Sequence, residues 1–185
     1  MIKDLIRDVR SRMEKTADAL SEELRGIRTG RASPALLERI SVEYYGAMTP
    51  LNQVSTISAP EPRLLTIRPW EASMIAPIEK AILKSDLGLT PTNDGKLIRL
   101  AIPRLSEERR EDLVKMVKRR VEESKVAIRN VRREANDDLK DFEDEKLISE
   151  DDLHRGRDQV QELTDEYVSK MDEIGERKET EILEV

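Results

Sequence analysis

The stretch VKMVKRRVEESKVAIRNVRREANDDLKDF, residues 114–142, decides the fold because its apolar and small side chains recur at seven-residue-repeat spacing. Side chains spaced in this way form a stripe along one side of an α-helix, and another element has to cover that stripe. Ser106, followed by Glu107 and Glu108, predicts the start of this helix, since a hydroxyl caps free backbone amides and acids suit the helix dipole. We therefore expect one helix over residues 106–145. Its core positions are Val114, Val117, Val121, Ser124, Ile128, Val131, Ala135 and Phe142, with Leu113 and Leu139 beside them.

Two further long helices with matching stripes are predicted, one at each end of the chain. Residues 1–28 place apolar side chains at three- and four-residue steps, and no proline interrupts them. Thr29 and Gly30 predict the end of this helix, because glycine tolerates the left-handed conformation that ends helices. Ser149 predicts the cap of the third long helix, whose apolar stripe covers residues 153–182. Three one-sided helices bury their stripes against one another, which predicts a three-helix bundle.

The chain between the first two long helices has a different composition. Residues 30–105 hold all eight prolines of the chain, together with most of its β-favouring segments. Short strands are predicted at residues 40–46, 54–59, 63–69 and 96–103, and one helix is predicted at residues 73–88. The predicted fold class is therefore α+β. A bundle domain of residues 1–29 and 106–185 carries a small inserted α/β domain of residues 30–105.

The chain crosses between these two domains twice, and both crossings are short. Glycine and proline in the crossings predict a hinge, since relative motion is the default for domains without a large shared interface. The predicted hinge residues are Arg28, Thr29, Gly30, Arg31, Pro103, Arg104 and Leu105.

Composition excludes several classes of protein. The 185 residues contain no cysteine, which excludes disulfides and thiol chemistry, and no apolar run approaches the ~20 residues of a membrane span. The amino terminus MIKDLIRDVRSRMEK lacks a signal core, so a cytoplasmic protein without membrane partners is expected. His154 is the only histidine, and no zinc-ligand spacing, activated nucleophile or phosphate-binding loop is present. We expect neither an enzyme nor a bound metal or cofactor.

Positive charge is concentrated on one segment of an acidic chain. The formal net charge is −6, yet residues 106–133 carry ten bases and six acids, whereas residues 134–185 carry seven bases and twenty acids. The core positions of the helix at 106–145 place most of its bases in a line beside the apolar stripe, interrupted by a single acid. That line consists of Lys115, Lys118, Glu122, Lys125, Arg129 and Arg132, with Arg133 bordering it.

The line of positive charge has two interpretations. Acids of the third long helix would neutralise it within the bundle, which the acidic surplus of that helix makes possible. Alternatively, the line binds nucleic-acid phosphates, since the planar fork of arginine suits phosphate oxygens and a linear array follows a backbone. Structured RNA met by shape is the expected nucleic acid, because no recognition-helix motif or aromatic stacking platform is present.

Six segments in order along the chain closely resemble the bacterial ribosome recycling factor family. They are IRTGRASPALL (27–37), VEYYGAMTPLNQ (42–53), IEKAILKSDLGLTP (78–91), LSEERREDLVK (105–115), VAIRNVRREAND (126–137) and LTDEY (163–167). The resemblance implies an L-shaped protein, with a long three-helix domain joined by a flexible hinge to a smaller α/β domain. It covers nearly the whole chain and agrees with the organisation predicted above.

The resemblance also implies a function. Members of the family act with elongation factor G and GTP after termination, splitting the spent ribosome so that it can initiate again. The helical domain binds large-subunit rRNA, the GTPase pushes the smaller domain, and the factor itself is a monomer that hydrolyses nothing. Arg110, Arg129 and Arg132 correspond to family positions implicated in ribosome binding, and Lys118, Lys125 and Arg133 extend that set along the line. Arg28, Gly30 and Arg31 fall in the hinge motif, while Arg104 stands where a second proline is usual.

Two other functions stay open on the sequence alone. A helical adaptor would use the basic line to bind an acidic protein partner, and a free-standing RNA-binding regulator would bind small naked RNAs tightly. Salt-sensitive association with ribosomes that needs no other protein distinguishes a recycling factor from the adaptor.

Overall fold

The structure of the chain is a computed structural model that describes residues 1–184. Its contacts divide these residues into two units, one of residues 1–28 with 107–184 and one of residues 29–106. The helices are α1 (Ile2–Arg25), α2 (Ile75–Lys84), α3 (Glu107–Asp144) and α4 (Glu150–Leu183). The strands are β1 (Ser41–Tyr44), β2 (Ala47–Pro50), β3 (Ser55–Glu61), β4 (Leu64–Pro69), β5 (Thr92–Asn93) and β6 (Ile98–Ala101), and 3₁₀ turns cover Pro34–Leu37, Leu51–Gln53 and Ala72–Met74. The predicted fold class, a long helical bundle with a small α/β domain, is confirmed.

The first unit is a three-helix bundle in which α1, α3 and α4 each contact the other two. Ion pairs show how α1 runs against α3: Arg12 lies 2.6 Å from Glu134 and Glu23 lies 3.7 Å from Arg120, so the two helices are antiparallel. Fully buried side chains of the bundle include Met13 and Leu20 on α1, Ile128 and Leu139 on α3, and Val160 and Met171 on α4. All of them belong to the predicted stripes.

A polar cluster joins α1 to α4 at the edge of this core. Tyr167 donates its hydroxyl hydrogen to Glu14 Oε2 at 2.6 Å, and Lys170 Nζ lies 2.9 Å from Glu14 Oε1. These two hydrogen bonds stabilise the charged carboxylate and lower the pKa of Glu14. Tyr167 therefore combines a buried ring with a hydroxyl that finds a partner at the surface.

Two glycines let α4 approach α3 closely. A Cβ atom at Gly175 would lie 2.6 Å from Val121 Cγ2, and one at Gly156 would lie 2.9 Å from Leu139 Cδ2. As α3 advances from Val121 to Leu139, its contact on α4 moves back from Gly175 to Gly156, so the two helices are antiparallel. Both glycines are buried within α4, where they weaken helix propensity, and the sequence analysis did not identify this use of them.

The second unit is built on a four-stranded antiparallel sheet in the order β3-β4-β6-β5. Side chains of α2 and of the sheet form its hydrophobic core, in which Ile78 and Ile82 of α2 are buried together with Ile67 and Leu100. A separate hairpin pairs β1 with β2 through Tyr45-Gly46. Both residues of this turn have positive φ, 48° and 82°, as the tight turns of hairpins require.

The boundaries of α3 and α4 agree with the prediction. Helix α2 covers Ile75–Lys84 where residues 73–88 were predicted, because Ser85 adopts an extended conformation, and α1 also ends early. That helix stops at Arg25, three residues before the predicted end, because Ile27 N bonds the Leu24 carbonyl at 3.1 Å in a tighter i→i+3 turn. The predicted cap of α4 is confirmed, since Ser149 and Asp152 each accept a hydrogen bond from the other's backbone amide.

The strand predictions are less complete. Strands were predicted where β1, β3, β4 and β6 are observed, but β2 and β5 were missed. Strand β2 ends in a proline and leaves Ala47 and Met48 exposed, and β5 has only two residues, so neither has the alternating pattern of a half-buried strand. Within residues 1–184, no helix is long and apolar enough to span a bilayer.

The close packing at Gly175 predicts that Gly175→Ala destabilises the bundle. The added methyl group would overlap Val121, and overpacking a core costs about 1–3 kcal/mol, of which better helix propensity offsets up to about 1 kcal/mol. We expect a lower midpoint of urea unfolding. Gly26→Ala is the matched control, because Gly26 has helical φ and only an ordinary contact of 3.5 Å there, so its midpoint should stay level or rise. Equal midpoints for the two variants would show that α4 does not need the glycine.

Candidate nucleic-acid interface

The packing of α3 decides where each of its basic side chains lies. Val117, Val121, Ile128 and Val131 are buried in the bundle, so side chains between these positions lie on the flanks or the outer face of the helix. Lys118, Arg129 and Arg133 are exposed, whereas Lys125 and Arg132 are half-buried. The flank facing α1 and the flank facing α4 differ in how their charges are paired.

On the flank facing α1, bases and acids form ion pairs between helices. Arg120 of α3 lies 3.7 Å from Glu23 of α1, and Glu134 of α3 lies 2.6 Å from Arg12 of α1. Arg120 also lies 3.3 Å from Glu123 of its own helix. This flank therefore presents mixed charge with little surplus.

On the flank facing α4, Lys125 is also neutralised. Its Nζ lies 2.5 Å from Asp172 Oδ1 of α4 and 3.4 Å from Glu122 Oε1, and only 13% of its side chain is exposed. The hydrogen bond to Asp172 is the main cause that raises the pKa of Lys125, ahead of the opposing effect of desolvation. At this position the neutralising interpretation of the basic line is the correct one.

Arg132, one heptad further along α3, is paired differently. Its Nη1 donates to Gln161 Oε1 of α4 at 3.4 Å, and Gln161 Nε2 in turn donates to Asp165 Oδ1 at 2.8 Å. An uncharged amide thus contacts the guanidinium and leaves its positive charge uncompensated at that contact. Arg132 is oriented by the bundle without being neutralised.

The remaining bases of the predicted line are exposed to solvent: Lys115, Lys118 and Arg129, together with Arg133 at its border. Across residues 1–184, no carboxylate lies within 4.0 Å of the Lys118 ammonium or the Arg129 guanidinium, and Arg133 donates only to the side chain of Asn130 on its own helix, at 3.0 Å. Lys118, Arg129, Arg132 and Arg133 are termed the basic flank below. Val126, 52% exposed, places an apolar side chain on the same helix between Lys118 and Arg129.

Two groups of predicted residues lie apart from the basic flank. Arg110 is half-buried on the side of α3 that carries Leu113 and Val117, roughly 28 Å along the helix from Arg129. The predicted hinge residues divide between the units, with Arg28 at the end of the first unit. The others lie in the second unit: Thr29, Gly30, Arg31, Pro103, Arg104 and Leu105.

Sequence reasoning missed the residues of α4 that distinguish one base from another. Asp172, Gln161 and Asp165 decide whether Lys125 and Arg132 are neutralised, and none of them was singled out. Their signal is spacing: Asp165 and Asp172 are seven residues apart on α4, as Lys125 and Arg132 are on α3. That spacing places the acids beside the bases only when the two helices pack in the observed register.

Comparisons with known proteins connect this geometry to a family. The sequence model described as ribosome recycling factor matches residues 20–183. The chain belongs to the ribosome recycling factor family. It is 57% identical over 185 residues to the ribosome-recycling factor of Roseiflexus castenholzii and 56% identical to that of Heliobacterium modesticaldum, with full coverage of both proteins in each case.

Solved structures of ribosome recycling factors share the fold. A solution structure of a ribosome recycling factor matches 100% of this chain and 98% of its own with a TM-score of 0.74 at 41% identity. The T. thermophilus ribosome recycling factor, described with E. coli elongation factor G bound to the E. coli post-termination complex, matches with a TM-score of 0.63 at 49% identity and 99% coverage of both chains. As a member of this family, the chain is a translation factor.

Lys125 is paired with an acid and Arg129 is not within residues 1–184, so replacing each by alanine should change the free energy of unfolding by different amounts. Lys125→Ala removes an ion pair between a mostly buried lysine and the half-exposed Asp172, together with the packing of the lysine stem, so we expect the free energy of unfolding to fall by about 1 kcal/mol. Arg129→Ala should change it by less than about 0.5 kcal/mol, because an exposed side chain without an acid partner contributes little. Urea unfolding of both variants measures the difference, and equal changes would contradict the assigned pairing.

Proposed function

We propose that this chain acts with elongation factor G and GTP to disassemble the post-termination ribosome and release it for new initiation. Membership of the family and the relative bound to a post-termination complex with elongation factor G support this role. In this proposal the chain binds the ribosome and is moved by elongation factor G, which hydrolyses the GTP.

The basic flank is the proposed contact with large-subunit rRNA. The observation that carries this assignment is the pairing contrast on α3: Arg129 has no acid partner among residues 1–184, whereas Arg120, on the opposite flank, is held by acids. Arginine binds phosphate oxygens with a planar fork, and a row of such groups on a rigid helix matches a backbone. The flank has no aromatic side chain on which bases would stack, so recognition relies on backbone shape.

The small domain is the proposed moving part. Gly30, where the chain enters it, has φ +76°, and a Cβ atom there would lie 3.2 Å from Leu105 Cγ, where the chain leaves. The two crossings therefore contact each other within the small domain. A change in the backbone path of one crossing displaces the other. We propose that elongation factor G pushes this domain while the bundle stays on rRNA.

The basic flank predicts that Arg132→Ala and Arg129→Ala each weaken ribosome binding. Loss of one charge-assisted hydrogen bond to phosphate removes roughly 1.5–3 kcal/mol, which corresponds to about ten- to hundredfold in affinity. Each variant should also lower the slope of log affinity against log salt by roughly one unit, since fewer counterions are released. Co-sedimentation with vacant 70S ribosomes over a salt series measures both quantities.

Arg177→Ala is the control for this measurement. Arg177 is an exposed arginine on the acidic helix α4, so its loss removes the same charge from a different surface. Equal weakening by Arg177→Ala and Arg132→Ala would show that the basic flank is not the contact. A wild-type protein that fails to bind ribosomes even at low salt would instead favour the adaptor with an acidic partner.

The touching crossings predict that Gly30→Ala separates ribosome binding from ribosome splitting. Alanine is strained at positive φ, and its methyl group would press on Leu105, so the path of both crossings changes. Binding to vacant ribosomes should stay within about twofold, because the basic flank is intact. Splitting by elongation factor G and GTP should slow severalfold, as measured by light scattering.

Gly95→Ala is the matched control for the hinge. Gly95 also has positive φ, +89°, in a turn of the same domain, but its added methyl group would meet no atom within 4 Å. The control should therefore carry the same local backbone strain and still split ribosomes. If Gly30→Ala loses binding and splitting in equal measure, the crossing contacts the ribosome and is not a hinge.

A further inference from the structure

The antiparallel packing of α3 and α4 repeats the same side-chain arrangement at successive heptads. In such a pair, seven residues forward on one helix and seven back on the other return to an equivalent position. Lys125 on α3 pairs with Asp172 on α4 at 2.5 Å. The equivalent pair one heptad on is Arg132 with Asp165, which predicts a second ion pair between the helices.

The structure does not contain that second ion pair. No oxygen of Asp165 lies within 4.0 Å of the Arg132 guanidinium in the described part of the chain. The side chain of Gln161 lies between the two groups: its carbonyl oxygen accepts from Arg132 Nη1 at 3.4 Å, and its amide nitrogen donates to Asp165 Oδ1 at 2.8 Å. One amide satisfies both neighbours and keeps them apart.

The chemistry of the amide explains why this position differs from Lys125. A primary amide offers an acceptor and a donor at once, so it bonds a guanidinium and a carboxylate without adding charge. A carboxylate in direct contact with Arg132 would instead form a bidentate pair and compete with any other anion. The charge of Arg132 is therefore available to a phosphate, while that of Lys125 is committed to Asp172.

We propose that Gln161 is a positioning residue for the rRNA contact, which holds Asp165 away from Arg132 and orients the guanidinium for phosphate. This inference rests on the proposed function, because it assumes that Arg132 meets rRNA. It assigns a role in binding to a residue of the acidic helix α4, outside the basic flank.

The test is a double-mutant cycle on binding to vacant 70S ribosomes. Gln161→Ala removes the amide and lets Asp165 close on Arg132, so we expect affinity to fall about three- to tenfold. Asp165→Asn alone should bind at least as tightly as the wild type, since it removes the competing carboxylate. The double variant Gln161→Ala with Asp165→Asn should regain most of the lost affinity, because no acid is left to close on Arg132.

Controls separate positioning from folding and from direct contact. Gln159→Ala removes the same side chain from an exposed position nearby on α4 and should bind normally. Urea midpoints report folding, and a merely structural role of Gln161 would not be rescued by Asp165→Asn. A double variant as weak as Gln161→Ala would show that Gln161 touches rRNA itself, and normal binding by Gln161→Ala would show that it has no role; either result overturns the inference.

Arg132→Ala, measured in the same series, distinguishes the inference from the function on which it rests. Weak binding by Arg132→Ala together with normal binding by Gln161→Ala overturns the positioning role alone. Normal binding by Arg132→Ala overturns the rRNA contact at this position, and the positioning role with it.

Discussion

The close approach of α4 to α3 at two buried glycines is the constraint on which the arrangement of charge in the bundle depends. Gly156 and Gly175 have no side chains, so α4 lies close to α3 at both positions. Any larger residue there would overlap Leu139 or Val121. These two contacts fix the register of the antiparallel pair. Register in turn decides which acid of α4 faces which base of α3. Core packing thereby controls surface electrostatics.

The two flanks of α3 show how neighbouring helices, rather than α3 itself, determine which charges are neutralised. Bases occur on both flanks, but acids of α1 and of α3 itself hold Arg120 and an acid of α4 holds Lys125. The basic flank keeps its charge because α4 places an amide beside Arg132 and no acid near Arg129. A chain with a net charge of −6 can thus present a cationic surface. Under the proposed function, its acidic remainder repels rRNA elsewhere and so restricts binding to that surface.

Sequence reasoning succeeded where a pattern is long and failed where a contact between distant segments decides. The seven-residue repeat predicted α3 to within one residue at each end, and Ser149 predicted the start of α4. The end of α1 was placed three residues late, because the apolar period continues through Ile27 after the backbone has left the helix. The helical repeat placed the basic side chains on a line, but it could not show that Lys125 is neutralised and Arg132 is not. Their difference depends on interhelical register, which no local pattern contains.

The rigidity of α3 supports the proposal that rRNA is recognised by its shape. The basic flank from Lys118 to Arg133 spans roughly 22 Å of one uninterrupted helix, so its charges keep fixed spacings. A flexible basic segment would adapt to any polyanion, whereas a fixed array favours a backbone whose phosphates follow the same path. The proposed contact meets only a few phosphates, so we expect a moderate affinity for rRNA that falls with salt. Under the proposed function, that moderate affinity allows the factor to leave the ribosome once the subunits have separated.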